Sequence, residues 1–304
     1  MENRVLGRTG IRVPRLGLGC VTFGREIDEA SSFALMDYAV EHGMNLFDTA
    51  EAYGGGDHSS EKIIGSWMRA TGIRRQIVLI TKITANFTQK HVREALATSL
   101  DRLRTDYLDI YLFHSFDPVT PLKEALDAMH EGQRLGLIRC AGCSNFSGSQ
   151  LRRALELSRD SGFRLEVTEA VCNLAARESE TDLLPICRDE EIGFLAYSPL
   201  GAGFLSGKYS GDRSALPVGS RFHVVPGHAD IYFTERNFRT VARLHETAAR
   251  WGVPALRLAV AWVLAHPEVS TVLCGARNTD HLANALAASE TELASDWPVD
   301  LQPG

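Results

Sequence analysis

What most constrains this chain is an alternation that runs along its whole length: short apolar runs, each followed by a stretch with helical spacing. The strand-like runs are LGLGCVTF, MNLFD, IVLITK, LDIYLFH, RCAGCSN, RLEVTE, IGFLAYS and STVLCG. They carry Val, Ile, Leu and Phe on both faces, as the doubly covered strands of parallel sheets do. Between them lie amphipathic segments: Phe33, Met36 and Val40 ending at Gly43; Val92, Leu96, Leu100 and Leu103 after an N-cap at Thr88; Leu122, Leu126 and Met129 with Pro121 as a first-turn proline; and Leu151, Ala154 and Leu155. Eight strands with intervening helices make an α/β chain with the count of a (β/α)8 TIM barrel. Ahead of it, VLGRTGIRV sets two β-prone pairs around a glycine-containing turn, which predicts a short N-terminal hairpin.

At 304 residues the chain has length enough for two domains. No Pro/Gly/Ser-rich linker or compositional break divides it, so one barrel domain over 1–304 is expected. With 44% hydrophobic and 23% charged residues the composition is that of a globular protein, which excludes disorder, collagen and low-complexity scaffolds. A net charge of −6 lacks the basic excess that phosphate-backbone binding needs, so nucleic acid is not an expected partner. The opening MENRVLGRTG has no apolar h-region, and the apolar stretch from Leu258 to Ala265 is far short of a membrane span. A cytoplasmic protein without a membrane partner is therefore expected. Six scattered cysteines fit a reduced compartment better than a disulfide framework. Cys140 and Cys143 are spaced as C-x-x-C, but they lie in a strand-like run, where alternation sends positions i and i+3 to opposite faces.

A Rossmann sheet is the competing reading of this pattern. Gly17-Leu-Gly19 starts a dinucleotide fingerprint, yet Thr22 stands where a third glycine is required, and Gly54-Gly55-Gly56 has the wrong spacing. Any dinucleotide bound here is bound without that motif.

Polar residues interrupt the strand pattern where strands should end. Asp48 ends NLFD, Lys82 ends IVLITK, His114 ends LDIYLFH, and Tyr53 lies in the loop just past Asp48. In a barrel the carboxyl ends of strands are where catalytic side chains converge. Period 2 puts Ile80 on the face of Lys82, and Ile110 and Leu112 beside that of His114, so the polar ends crown a packed interior. Taken singly, each has a structural explanation: a turn cap, a solvated strand end, a satisfied core histidine, loop packing. Taken together they fit one task, protonating a carbonyl oxygen while a hydride arrives at carbon. Tyrosine is a poor acid at neutral pH, and a neighbouring ammonium, Lys82, lowers its pKa. Buried lysine needs a carboxylate, which Asp48 supplies, while His114 hydrogen-bonds the substrate oxygen.

The segments N-L-F-D-T-A-E-A-Y-G (45–54) with Ser60-Glu61, T-K (81–82), L-F-H (112–114), G-C-S-N-F (142–146) and Y-S-P-L-G (197–201) resemble, in order, the signature segments of the aldo-keto reductase superfamily. The resemblance covers nearly the whole chain, from about Val5 to about Ala288. It implies a TIM barrel binding an extended nicotinamide dinucleotide, with Asp48, Tyr53, Lys82 and His114 as the tetrad and Tyr53 as general acid. It further implies that Ser144 and Asn145 bind the carboxamide, that Tyr197 stacks on the nicotinamide ring, and that Ser198, Leu200 and Gly201 lie near the pyrophosphate. Lys208, Arg221 and Arg277 match basic positions around the cofactor, Arg277 facing an adenosine 2′-phosphate, while His281, also at the cofactor, stands where Gln or Arg is common.

Departures from the pattern are Glu169 and Cys172 where the family has Gln and Tyr. A carboxylate accepts from the carboxamide amine but cannot donate as Gln does, so the nicotinamide is expected to be held differently, and Glu169→Gln to tighten cofactor binding. Asn284 and Ala285 replace a Glu-Asn pair at the adenine end, which leaves NAD as the other candidate beside NADPH. The expected substrate pocket draws on Val21, Thr22, Asn86, Phe87, Ser115 and Phe116, and on His223 to Phe233, which either gates the site or packs on the rim. The stretch from Gly201 to about Asn237 lacks both periods and reads as a long loop near the mouth. No metal or flavin is implied. The function expected is NADPH-dependent reduction of an aldehyde, ketone or sugar-like substrate, with no membrane or nucleic-acid partner. The alternatives are a cofactor-sensing regulatory subunit with the same barrel, or a reductase of nucleotide-activated sugars.

Overall fold

In the computed structural model, which describes residues 1–304 except 56, 160, 161, 292, 294–296, 298–300 and 302–304, eight parallel strands close into a barrel. Two short strands precede it, β1 (Asn3–Val5) and β2 (Arg12–Pro14), paired antiparallel with Asn3 opposite Pro14. The barrel strands are β3 (Leu16–Gly19), β4 (Leu46–Asp48), β5 (Val78–Ile83), β6 (Leu108–Phe113), β7 (Ile138–Ser144), β8 (Val167–Val171), β9 (Gly193–Tyr197) and β10 (Val269–Gly275). Each pairs with its neighbours in sequence, and β10 closes the ring on β3. Every strand-like run contributes a strand, and the hairpin stands where the sequence sets it. Of LGLGCVTF, only the first half is strand.

Alternation explains why these runs read apolar throughout. Leu46, Val78, Ile80, Ile110, Leu112, Cys140, Val167, Leu195 and Leu273 fill the barrel interior, joined from the hairpin by Leu6, Ile11 and Val13. Their neighbours Phe47, Leu79, Tyr111, Phe113, Ala141 and Cys143 belong to the outer layer under the helices. Cys140 and Cys143 thus fall on opposite sides of one strand. All six cysteines are buried and free, and burial pushes the thiols of Cys140, Cys143, Cys172 and Cys274 up to about 12. Gly142 has an identifiable reason: a Cβ there would press into the carbonyl oxygen of Val167 and lie 2.6 Å from Leu112 Cδ2.

Local details differ from the sequence expectations. Thr88 is the N-cap of the helix Gln89–Leu103, but its hydroxyl donates to Asn86 Oδ1 at 3.1 Å and does not cap a helix amide. Pro121 is itself the N-cap of the helix Leu122–Arg134, one residue before the first turn. The stretch from Gly201 is not featureless: it holds the 3₁₀ turns Gly201–Ser206 and Arg213–Ala215 and the short helices Arg221–Val224 and His228–Tyr232, and the helix Glu235–Trp251 takes its end. Elements of this length are shorter than any period can reveal. Aromatic packing orders them, with Phe204 5.1 Å from Phe238 and Tyr209 4.6 Å from Phe222 between ring centroids. Among the described residues no helix is long and apolar enough to cross a membrane.

Candidate active site

At the carboxyl end of β4 the chain leaves the sheet through Thr49 and turns, the Tyr53 amide donating to Ala50 O at 3.0 Å. The turn is held from behind. Thr49 Oγ1 and Ser60 Oγ share a hydrogen bond of 2.8 Å, and Ser60 also reaches Cys20 O at 3.0 Å. Next to it Glu61, fully buried, accepts from Thr81 Oγ1 at 2.7 Å and pairs with Arg102 at 3.1 Å. Ser60-Glu61 therefore braces the loop that carries Tyr53.

Lys82 on β5 is 0% exposed and Asp48 4%. Its Nζ donates to Asp48 Oδ1 and to Thr49 O, the latter at 3.0 Å, and lies 5.0 Å from the Tyr53 ring centroid. His114 follows β6, its amide donating to Ile83 O at 2.8 Å. Its ring meets that of Tyr53 edge to face, centroids 5.6 Å apart, and its Nδ1 is buried without a hydrogen-bond partner. The structure therefore gathers Asp48, Tyr53, Lys82 and His114 at one end of the barrel.

Burial alone would lower the Lys82 pKa, but the charges of Asp48 and then Glu169 outweigh it and hold the ammonium above its ordinary range. Tyr53 departs from expectation. Burial raises its pKa above the ordinary value; Lys82 pulls the other way, but Asp48 and Glu169 oppose that pull. The phenol stays protonated at neutral pH. Burial, then Lys82, pushes His114 down to about 4, so its imidazole is neutral there. Two neutral side chains beside a fixed ammonium can hand a proton, and a hydrogen bond, to an oxygen that gains charge.

Glu169 on β8 is 2% exposed, and it faces Lys82. Its Oε2 lies 3.5 Å from Lys82 Nζ, its carboxyl is within hydrogen-bond reach of Asp48, and Oε1 accepts from Ser144 Oγ at 3.2 Å. The sequence reading gave Lys82 one carboxylate, and the structure gives it two. Beside Glu169, Asn145 Nδ2 donates to His114 O at 2.8 Å and to Ser144 Oγ at 3.1 Å, and Tyr197 OH donates to Asn145 Oδ1 at 2.7 Å. Asn145 and Ser198 hold positive φ, 57° and 52°, a conformation that Asn tolerates best among non-glycine residues. Asn173 fixes Ser198 by donating to its carbonyl at 2.9 Å, a contact with no signature in the sequence.

Leu200 is half-buried and Gly201 buried, and a Cβ on Gly201 would come within 3.1 Å of the Tyr232 ring. At the far end Arg221 donates to Glu26 Oε1 at 3.1 Å, with Arg277 4.0 Å from the same oxygen and Arg25 2.6 Å from Oε2. Arg277 also donates to Gly219 O at 2.8 Å. His281 lies beside it, its pKa lowered by burial and then by Arg277, with Lys208 also contributing. Arg221, Arg277, Lys208 and His281 thus share one region, with the carboxylates Glu26 and Asp280 beside them. Sequence reading missed Glu26, since nothing in R-E-I-D sets it apart from surface charge. A basic group of this kind, together with the unpartnered His114 Nδ1, fits a phosphate-bearing polar ligand lying across the barrel mouth.

At the rim, two expectations need correction. Phe87 is 2% exposed and packs on Phe113, centroids 4.5 Å apart, and Thr22 is buried with its hydroxyl on Ala276 O at 2.9 Å. Both support the rim from within and present little to a substrate. Asn86 and Ser115 are exposed, Val21 and Phe116 half-buried. Within His223 to Phe233, Ala229 and Tyr232 are buried, Tyr232 against Phe204 and Phe222, while most of the segment is exposed. Among the described residues no His, Cys, Asp and Glu side chains group as metal ligands would.

Residues 15–297 match the profile of the Aldo/keto reductase family. The chain is 33% identical to "Uncharacterized oxidoreductase YrpG" of Bacillus subtilis (strain 168), over 96% of this chain and 92% of that one. It is 31% identical to "Protein tas" of Escherichia coli (strain K12), over 99% and 97%, and 32% identical to "Probable voltage-gated potassium channel subunit beta" of Oryza sativa subsp. japonica, over 95% and 91%.

Proposed function

The chain belongs to the aldo/keto reductase family, and on that premise we propose that it reduces an aldehyde, ketone or sugar-like carbonyl to the alcohol with NADPH, Tyr53 being the general acid. One observation carries this reading: a protonated Tyr53 phenol lies between a buried ammonium and a neutral imidazole. When bound, a nicotinamide cofactor would supply the hydride that the carbonyl carbon needs. Tyr53 gives its phenolic proton to the carbonyl oxygen, which completes the alcohol. The phenolate left behind is stabilised by Lys82, whose own charge Asp48 holds in place. Neutral His114 donates a hydrogen bond to the same oxygen as it gains charge. Tyr53 and His114 are thus the catalytic residues, and Lys82, held charged by Asp48, is the fixed cation beside them.

Ser144, Asn145 and Tyr197 form one hydrogen-bonded patch beside the tetrad, which supports their assignment to the carboxamide and ring. Arg277 with Arg221, Lys208 and His281 supports NADPH over NADH. The test is a fluorescence titration with both dinucleotides, followed by a carbonyl screen with the one that binds more tightly. Failure to bind either overturns the proposal. A second reading, a cofactor-sensing regulatory subunit, is favoured by the similarity to the rice protein named for a potassium channel. Dinucleotide binding without turnover of any carbonyl would select it.

A further inference from the structure

We propose that Glu169 is a second carboxyl on Lys82 whose proton is coupled to the oxidation state of the bound nicotinamide, so that it sets which form of the cofactor the site prefers. The inference rests on the functional reading above and extends it to a residue that reading leaves without a task.

The geometry is one cation shared by two carboxyls. Lys82 Nζ donates to Asp48 and lies 3.5 Å from Glu169 Oε2, and the two carboxyls are within hydrogen-bond reach of each other, all three groups at or below 4% exposure. Were both carboxyls ionised, the site would bury an uncompensated negative charge. Two carboxyls that share one site hold on to a proton between them. Asp48 receives the direct hydrogen bond of Lys82 and is also the partner of the Glu169 carboxyl, a contact that needs a proton between the two acids. The retained proton therefore belongs on Glu169.

The groups facing Glu169 agree. They are Lys82 from β5, Asp48 from β4, Tyr53 from the loop after it, Cys143 and Ser144 from β7, and Tyr197 from β9, with His114 beyond Lys82. Burial holds Tyr53, Tyr197 and Cys143 neutral, and His114 is neutral above about 4. Burial, and then the charge of Asp48, pushes the Glu169 carboxyl up to about 8, within reach of ordinary solution conditions.

An oxidised nicotinamide ring carries a positive charge that the reduced ring lacks. With the ring held by the Ser144, Asn145 and Tyr197 patch, an ionised Glu169 favours the oxidised form, and a protonated one suits the reduced form. Binding of the oxidised dinucleotide then releases a proton from Glu169 to solvent, and binding of the reduced one does not. A glutamine at this position could not respond in this way.

The experiment titrates NADP+ and NADPH against wild type and Glu169→Gln over a pH series, with a pH-indicating dye in weak buffer to count protons. In wild type the ratio of the NADP+ to the NADPH dissociation constant should fall as pH rises towards about 8, by up to about tenfold per unit, with proton release on NADP+ alone. In Glu169→Gln the ratio should be flat and the release absent. Infrared spectra of the cofactor-free protein supply a second readout: a protonated-carboxyl band that fades across the same interval and is missing in the variant. A flat wild-type ratio with no proton release overturns the inference while leaving the reductase reading intact, as does a carboxyl band unchanged by Glu169→Gln. Binding of neither dinucleotide overturns both.

Discussion

The rings of Tyr53 and His114 stand edge to face, centroids 5.6 Å apart and planes at 77°. This contact joins two strands' ends that are far apart in sequence, β4 with its loop and the residue after β6. It fixes the imidazole while leaving the buried Nδ1 unpartnered. Each ring is kept neutral by its surroundings, so each arrives at a substrate oxygen as a donor.

Removing the phenolic hydroxyl tests the acid directly. Tyr53→Phe keeps the ring contact and should lower carbonyl turnover by about 10²–10⁴-fold, the usual weight of a positioned general acid, with dinucleotide affinity unchanged. Steady-state kinetics beside fluorescence titration read both. Undiminished turnover would take the acid role away from Tyr53.

For His114, the sign of the pH dependence follows from a folded-state value of about 4 against an ordinary 6.5. Below about 6.5 the unfolded chain takes up a proton that the folded protein refuses. The stability linked to neutral His114 is therefore complete above 6.5 and is lost progressively as pH falls towards 4. Denaturant midpoints measured over this interval should fall less steeply in His114→Asn than in wild type. Parallel slopes would mean that the imidazole is already free to charge in the folded protein.

Arg277 and Glu26 should act in opposite directions. Loss of a charge-assisted bond costs about 1.5–3 kcal/mol, so Arg277→Ala should weaken NADPH binding by about tenfold to a hundredfold and NADH binding little. Glu26→Gln removes the carboxylate that occupies Arg221 and sits near Arg277 and should tighten NADPH binding. Equal losses for both dinucleotides in Arg277→Ala would place the guanidinium away from the 2′-phosphate.

Packing is tested at Gly142. A methyl there meets the Val167 carbonyl and the Leu112 side chain inside the barrel, and such crowding costs about 1–3 kcal/mol. Gly142→Ala should lower the denaturant midpoint accordingly. An unchanged midpoint would show that β7 and β8 can part without cost.

The sequence made Asp48, Lys82 and His114 visible because each breaks an apolar run at a strand end, where period 2 also tells which face it takes. Tyr53 is different: it lies in a loop where no period marks it, and it was read from its place just past Asp48 and from the chemistry the other three lacked. Glu169 was visible as a departure from the family pattern, but its contact with Lys82 was not. That contact depends on β8 facing β4 and β5 across a closed interior, which no local period encodes. The sign of the Tyr53 shift was misjudged for a related reason, since burial depends on the whole surround and the ammonium is a single neighbour. The 3₁₀ turns and short helices after Gly201 escaped notice because their order comes from aromatic side chains meeting across the segment.

Leu6, Ile11 and Val13 of the hairpin region pack against the barrel's own interior residues at the amino-terminal ends of the strands. They act as a stopper, and the well above them is blind at its base. Their buried apolar side chains stand between that end and Lys82, Asp48 and Glu169. Any proton that Tyr53 gives away must be restored through the same mouth that admits the substrate, so recharging of the acid waits on what occupies that mouth.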